Sequence, residues 1–130
     1  MVSRISHTSF DALNSYTQSV FWCAVLGFRE DPDDPNEPGP EGCMIFSPDG
    51  SQRVLFIEVP DAKQLKNRAH LDLRPTDRTR EQEVQRLLEL GATQVADRRV
   101  DGGGGWVVLA DPEGNEFCIL RGEAAPAKQS

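Results

Sequence analysis

The sequence predicts an α+β fold made of two βαβββ modules, whose curled mixed sheet surrounds a cavity. Two observations carry this prediction. The order strand, helix, strands occurs twice along the 130 residues, and a glycine, Gly27 or Gly91, ends each predicted helix. A single helix covers only one face of its sheet. The opposite face of each module is therefore left for another use, and two such faces can enclose a pocket.

The first module, residues 1–60, contains one predicted helix and three predicted strands. Alternating side chains and cap residues place them in chain order as a strand at Ser3–Asp11, a helix capped by Asn14 or Ser15, and strands at Cys43–Ser47 and Val54–Val59. Asp49 and Gly50 favour a tight turn between the last two strands. Residues 31–42, rich in Asp, Glu and Pro, predict an acidic surface loop.

The second module, residues 67–121, repeats this order. Its predicted elements are a strand at Arg68–Arg74, a helix capped by Thr76 or Asp77, and strands at Thr93–Arg99, Trp106–Ala110 and Glu116–Leu120. One helix–sheet core is expected from Ala69, Leu71, Leu73, Val84, Leu87 and Leu88. Residues 1–121 thus form a single domain, and residues 122–130 are expected to be a disordered tail.

Composition narrows the classes of function. A formal charge of −7 opposes nucleic-acid binding, which needs clustered Lys and Arg. No apolar run approaches the roughly 20 residues of a membrane span, and the N-terminal residues lack the apolar stretch of a secretory signal. The three cysteines, Cys23, Cys43 and Cys118, have no CxxC spacing and are expected to be reduced thiols. We therefore expect a cytoplasmic location.

Three segments resemble the vicinal oxygen chelate superfamily, which includes glyoxalase I, extradiol dioxygenases and the fosfomycin- and bleomycin-resistance proteins. They are Phe21–Phe28, Asn67–Leu73 and Leu109–Phe117, in the order in which the superfamily has them. The likeness is to the branch known as glyoxalase-like domains. It implies the paired-module fold, a small-molecule ligand and a homodimer.

The metal enzymes of this superfamily place one ligand on each of four strands. The resemblance puts His7 at the first position and His70 at the third. Glu58 takes the second position if it faces the cavity, whereas a register shift of one residue puts Ile57 there. The fourth ligand, normally a glutamate four residues after the turn glycine, is Cys118 in this chain. Because glyoxalase I and ring-cleaving dioxygenases use that carboxylate, neither activity is carried over.

These residues leave open whether the protein is an enzyme, and no catalytic residue is assigned. The first hypothesis is a binder of an unidentified small molecule, without metal catalysis, in which an acidic protein holds a cationic ligand as in the bleomycin-resistance branch. The second is a lyase or dioxygenase relative that uses His7, Glu58 and His70 with zinc, nickel or iron. A third is an interaction domain with a vestigial cavity. The predicted pocket residues are His7, Phe56, Glu58, His70, Asp72, Trp106 and Cys118.

Overall fold

A computed structural model describes residues 2–123 of the chain. The chain divides into two compact units, with the division between Ala62 and Lys63. Each unit contains one helix and one small mixed sheet. The predicted α+β class is therefore confirmed.

In the first unit the elements are β1 (Thr8–Ala12), α1 (Ser15–Leu26), β2 (Cys43–Phe46) and β3 (Arg53–Glu58). The sheet order is β1-β3-β2, with β1 parallel and β2 antiparallel to the central β3. The Asn14 side chain caps α1 by accepting a hydrogen bond from the Thr17 N–H at 3.0 Å. Gly27 ends the helix with φ of 69°, a conformation that favours glycine. Both ends of α1 agree with the sequence prediction.

The core of the first unit lies between α1 and one face of this sheet. Phe56 of β3 pairs with Cys43 of β2, and both are 1% exposed. The Cys43 Sγ lies 3.7 Å from the Oγ of Ser15, the first residue of α1, which fixes this as the helix-covered face. Since strand side chains alternate, Met44, Leu55 and Ile57 lie on the opposite face, the far face of the first sheet.

In the second unit the elements are β4 (Asp72–Leu73), α2 (Arg80–Leu90), β5 (Thr93–Asp97), β6 (Val107–Ala110) and β7 (Glu116–Ile119). The sheet order is β4-β7-β6-β5, with β4 parallel to β7 and the other pairs antiparallel. Leu87 of α2 and Leu109, Phe117 and Ile119 of the sheet are at most 1% exposed and form the centre of the core. The face that carries Cys118 is the far face of the second sheet.

The cap of α2 differs from the prediction. Thr79, not Thr76 or Asp77, accepts a hydrogen bond from the Gln82 N–H, and the Gln82 side chain accepts one from the Thr79 N–H. This reciprocal capping box satisfies two free N–H groups at once. The carboxylate of Asp77 instead pairs with the Arg78 guanidinium, with 3.0 Å between Asp77 Oδ1 and Arg78 Nε. The cap of the helix is therefore three residues beyond the first predicted one.

The strand expected at Arg68–Arg74 is reduced to Asp72 and Leu73. Val84 and Leu87 are buried as predicted, whereas Leu71, Leu73 and Leu88 are only half-buried. Ala69 is exposed and does not belong to the core, because it precedes the paired part of the strand. The expected alternation therefore holds only where β7 supplies a hydrogen-bonded neighbour.

Two further expectations meet the structure in part. The first unit has three strands among the described residues, one fewer than a βαβββ module. At the other end of the chain, the Glu123 N–H donates to the Pro75 carbonyl at 2.7 Å, so the predicted tail is ordered at residues 122–123. Residues 124–130 lie outside the described part of the chain.

Within residues 2–123, neither helix has the length and apolar character needed to cross a bilayer.

Candidate functional site

The far face of the second sheet brings together three side chains that can bind a metal. Cys118 of β7 is the direct neighbour of Asp72 on the parallel strand β4, so their side chains share one face. His70 precedes Asp72 by two residues and lies on the same side. One ligand atom from each of the three residues lies within 4.8 Å of the others, and His70 Nδ1 is 3.4 Å from Asp72 Oδ1. The sequence predicted all three as pocket residues.

The Cys118 thiol is buried, whereas His70 and Asp72 are exposed. Burial raises the pKa of Cys118, and the Asp72 carboxylate raises it further by charge repulsion and by a hydrogen bond to the thiol. The thiolate is the nucleophilic form of cysteine. At neutral pH Cys118 is therefore a protonated thiol, which argues against a nucleophilic role without a metal ion.

An ion pair borders this group on the same face. Glu116 lies two residues before Cys118 on β7, and its carboxylate pairs with the Lys66 ammonium. The hydrogen bond from Lys66 is the largest of the causes that hold the pKa of Glu116 below its usual value. Glu116 is therefore a charged group that is already neutralised by Lys66.

Trp106 stands directly before β6. Its N–H donates to the Arg98 carbonyl at 3.4 Å, and its neighbour Val107 is 1% exposed in the core. Alternation therefore places the indole on the far face of the second sheet, where it is 44% exposed. An exposed tryptophan offers a large apolar ring to a ligand.

The far face of the first sheet has a different character. Residues 31–42 form, together with this face, a cavity of about 590 Å³. Met44, Phe46 and Leu55 supply its apolar wall, and Met44 and Leu55 are direct cross-strand neighbours. The Phe46 ring is also approached by two cations, the guanidinium carbons of Arg29 and Arg53, at 5.6 and 5.5 Å from the ring centroid.

Hydrogen bonds anchor residues 31–42 at Asn36, in the middle of the segment, and at Glu41, near its end. The Asn36 side chain donates to the Met44 carbonyl at 2.9 Å, and the Asn36 N–H donates to the Glu30 carboxylate at 3.0 Å. The Ser15 hydroxyl donates to the Glu41 carbonyl at 3.0 Å. The carboxylates that line the cavity are those of Asp31, Asp33, Asp34, Glu37 and Glu41. An acidic loop is thus tied to an apolar sheet face.

Two predicted pocket residues lie elsewhere. Phe56 is in the helix-covered core, where it stacks on Phe10 with ring centroids 5.9 Å apart. The Glu58 carboxylate accepts hydrogen bonds from the N–H and the hydroxyl of Ser15, at 3.1 and 2.9 Å. Such a contact satisfies a free N–H group at the start of α1 and places a negative charge where the helix dipole favours it. The far face therefore has Ile57 in this register, and Glu58 is not offered to a ligand there.

His7 is exposed and lies one residue before β1, with its Nδ1 3.1 Å from the Ser6 hydroxyl. Thr8 pairs with Val54 on the helix-covered side, so alternation directs His7 towards the far face of the first sheet. That His7 and His70 face a shared cavity stays a prediction.

Sequence reasoning missed the cavity in the first unit. It identified residues 31–42 as an acidic loop but did not connect this loop to a sheet face. The alternation of Met44 and Phe46 along β2 was a usable signal, because it puts two large apolar side chains opposite the helix-covered face.

Comparison with known proteins places this geometry in a family. Residues 7–120 match the glyoxalase-like domain family. No curated protein matches the sequence. One similar solved structure is a point mutant of the fosfomycin resistance protein FosX from Listeria monocytogenes, complexed with Mn(II) and 1S,2S-dihydroxypropylphosphonic acid. It has a TM-score of 0.67 and 18% sequence identity, and the match covers 95% of this chain and 94% of that one.

Two other solved structures are also similar. FosX from Mesorhizobium loti has a TM-score of 0.66 at 17% identity, covering 95% of each chain. A hypothetical protein from S. aureus has a TM-score of 0.62 at 21% identity, covering 90% of this chain and 96% of that one. Likeness at these identities shows the fold, and the family match covers nearly the whole sequence. The chain belongs to the glyoxalase-like domain family of the vicinal oxygen chelate superfamily.

Proposed function

We propose that the protein binds a small organic cation, without metal catalysis, in the cavity between residues 31–42 and the far face of the first sheet. The observation that carries this proposal is the cavity itself. Its volume of about 590 Å³ lies within the range of about 300–1,000 Å³ that is usual for small-molecule sites. Its wall combines an apolar floor with a rim of carboxylates, which suits a ligand with an apolar body and a positive charge.

The negative charge of the cavity rim favours a positively charged ligand. Residues 31–42 include five acidic residues and no Lys or Arg. Among the described residues, the carboxylates of Glu37 and Glu41 have no ion-pair partner. A cluster of carboxylates beside a low-dielectric wall raises the local concentration of cations. The overall charge of −7 acts in the same direction.

The apolar floor of the cavity favours a ligand that also has an apolar group. Met44, Phe46 and Leu55 give a surface against which an aromatic or aliphatic group can be buried, and such burial contributes about 25 cal/mol per Å². Arg29 and Arg53 already lie near Phe46. Because like charges repel, we expect the ligand to place its apolar part towards Phe46 and its cation towards the loop.

That Trp106, His70 and Asp72 of the second unit line a ligand pocket stays a prediction. The replacement of the last-strand glutamate by Cys118 is the reason that we propose binding rather than glyoxalase or ring-cleavage chemistry. The homodimer and the cytoplasmic location stay predictions.

Calorimetric titration with phenethylamine, and with phenylpropionate as an anion of similar shape, tests the proposal. We expect the amine alone to bind. The double variant Glu37→Gln/Glu41→Gln should weaken its binding by about two- to thirtyfold, because each exposed charge pair contributes about 0.2–1 kcal/mol.

The matched control is Asp101→Asn/Glu123→Gln, which changes the net charge equally at two exposed positions outside the cavity. This control should bind the amine like the natural protein. Equal weakening in both double variants would show an effect of net charge only, and equal binding of the anion would overturn the proposal.

A further inference from the structure

The geometry points to a metal site within the second unit: we infer that His70, Asp72 and Cys118 bind Zn²⁺ and discriminate against Mn²⁺. This inference does not depend on the cation cavity, because its three residues belong to the second unit and the cavity lies in the first. It goes beyond the proposed function by assigning a metal to the far face of the second sheet.

The distances suit a tetrahedral ion. Bonds of about 2.0–2.3 Å to nitrogen, oxygen and sulfur put the ligands of tetrahedral zinc about 3.3–3.8 Å apart. His70 Nδ1 and Asp72 Oδ1, at 3.4 Å, already have this separation. No pair of the three ligand atoms is more than 4.8 Å apart. Small rotations of the two exposed side chains, His70 and Asp72, complete the approach to the Cys118 sulfur.

The backbone holds Asp72 and Cys118 on paired strands, and His70 lies two residues before the first of these strands. The Cys118 N–H donates to the Leu71 carbonyl at 2.9 Å, and the Leu120 N–H donates to the Leu73 carbonyl at 2.7 Å. These two bonds flank the Asp72–Cys118 pair and fix its register. Ligands that stand on registered strands are positioned more precisely than ligands on loops.

The donor set determines which metal fits. Mn²⁺ prefers carboxylate, carbonyl and water oxygens, whereas a thiolate with an imidazole and a carboxylate is a set that zinc accepts. The similar FosX structure is complexed with Mn(II). In this chain, Cys118 puts sulfur at the position where the superfamily has a glutamate, so the residues present do not suit Mn²⁺. The affinity order of divalent metals also favours Zn²⁺ over Mn²⁺.

The charges near the site agree with a divalent cation. A bound thiolate and the Asp72 carboxylate together carry two negative charges. Glu116 is neutralised by Lys66 and does not add a third. Three protein ligands leave the fourth tetrahedral position for water or for an anionic group of a ligand.

Native mass spectrometry of tag-free protein tests the inference, after chelator treatment and addition of Zn²⁺ or Mn²⁺. We expect one zinc ion per chain and no retained manganese. Titration with Co²⁺ adds a spectroscopic readout, because cobalt–thiolate bonds give a charge-transfer absorption that carboxylate and imidazole do not. Asp72→Asn and Cys118→Ser should each lower zinc affinity by more than about 100-fold, since even outer-shell changes cost about 10–100-fold.

Cys23→Ser is the matched control, because it removes a half-buried thiol of the first unit. It should leave both zinc affinity and the cobalt spectrum unchanged. Asp72 is exposed, so Asp72→Asn should keep the melting temperature of the metal-free protein even if Cys118→Ser does not. Manganese binding as tight as zinc binding, or a cobalt–thiolate absorption that survives Cys118→Ser, would overturn the inference. Neither outcome bears on amine binding by the first unit.

Discussion

The two halves of the chain have the same pairing among three of their strands, but they differ in the segment that comes directly after the helix. In both, the first strand is parallel to the last, which in turn pairs with an antiparallel neighbour: β1, β3 and β2 in one half, and β4, β7 and β6 in the other. After α2 the chain adds β5 along β6 over Thr93–Asp97. After α1 the described chain makes one isolated bridge to the sheet, Arg29 with Phe46 of β2, and then leaves the sheet as residues 31–42, in which Asp31 and Asp34 form a bridge with each other.

The acidic loop of the first half therefore takes the chain position of a strand in the second half. This difference shows how a duplicated unit can keep its core and change its chemistry. The helix-covered faces of both sheets are packed alike with buried apolar side chains. The far faces have diverged, one into an apolar wall with an acidic rim, and the other into a surface that carries imidazole, carboxylate and thiol groups.

The largest expected effect is on the free energy of unfolding, and it tests which face of β3 packs in the core. Phe56→Ala should lower the free energy of unfolding by about 3–5 kcal/mol, because it opens a cavity at a side chain that is 1% exposed. Ile57, its neighbour on the far face, is 39% exposed, and Ile57→Ala should cost about 1 kcal/mol or less. Denaturant unfolding followed by circular dichroism measures both. Equal losses would contradict the assignment of the two faces.

A smaller loss of stability is expected from variants of the two helix N-caps. The Asn14 side chain caps α1, whereas a capping box of Thr79 and Gln82 caps α2. Thr79→Ala and Asn14→Ala should each lower the free energy of unfolding by about 1 kcal/mol, the usual cost of losing an N-cap. Thr76→Ala, at one of the two caps that the sequence predicted, should change it by less than about 0.5 kcal/mol. Denaturant midpoints of the three variants give the comparison. A larger loss from Thr76→Ala than from Thr79→Ala would restore the predicted cap.

The sequence predicted the α+β class and the order of the helices and strands, because the repeated order of strand, helix and strands and the glycine ends of both helices are local signals. Cap choice at α2 was less certain, since several residues before the helix can cap it. Thr79 prevails because Gln82 stands three residues later. A rule that requires the complete capping box would have found it.

The candidate sites were predicted only in part, because they depend on register and on pairing. His70, Asp72 and Cys118 were found, since a short alternating segment and a turn motif locate them. The choice between Glu58 and Ile57 for the far face was left open, because nothing local shows that Ser15 will present its N–H and hydroxyl to Glu58. The cavity under residues 31–42 was missed, since it arises from the position of a loop relative to a sheet.

The smallest expected effect is the response to salt of two carboxyl pKa values, one in each half of the chain. Hydrogen bonds from the N–H and hydroxyl of Ser51, and then from Ser47, lower the pKa of Asp49 to about 2. In the second half, hydrogen bonds from the side chain and N–H of Arg99 lower the pKa of Asp97 to about 2. Both values lie below the ordinary value of about 3.9, so each contribution to stability is present above pH of about 4 and is lost as the pH falls through about 2.

Salt should separate the two carboxylates. In about 1 M salt the Debye length is about 3 Å, so the attraction of Asp97 to the charged Arg99 guanidinium is screened and the pKa of Asp97 should rise towards its ordinary value. The donors to Asp49 are uncharged, so its pKa should stay nearly constant. Carboxyl NMR titrations at low and high salt measure both. Arg99→Gln should raise the pKa of Asp97 and reduce its dependence on salt to the weaker attraction of Arg80, whereas Ser51→Ala should raise the pKa of Asp49 without creating a dependence on salt. An undiminished salt response of Asp97 in Arg99→Gln would show that the charge of the Arg99 guanidinium is not its cause.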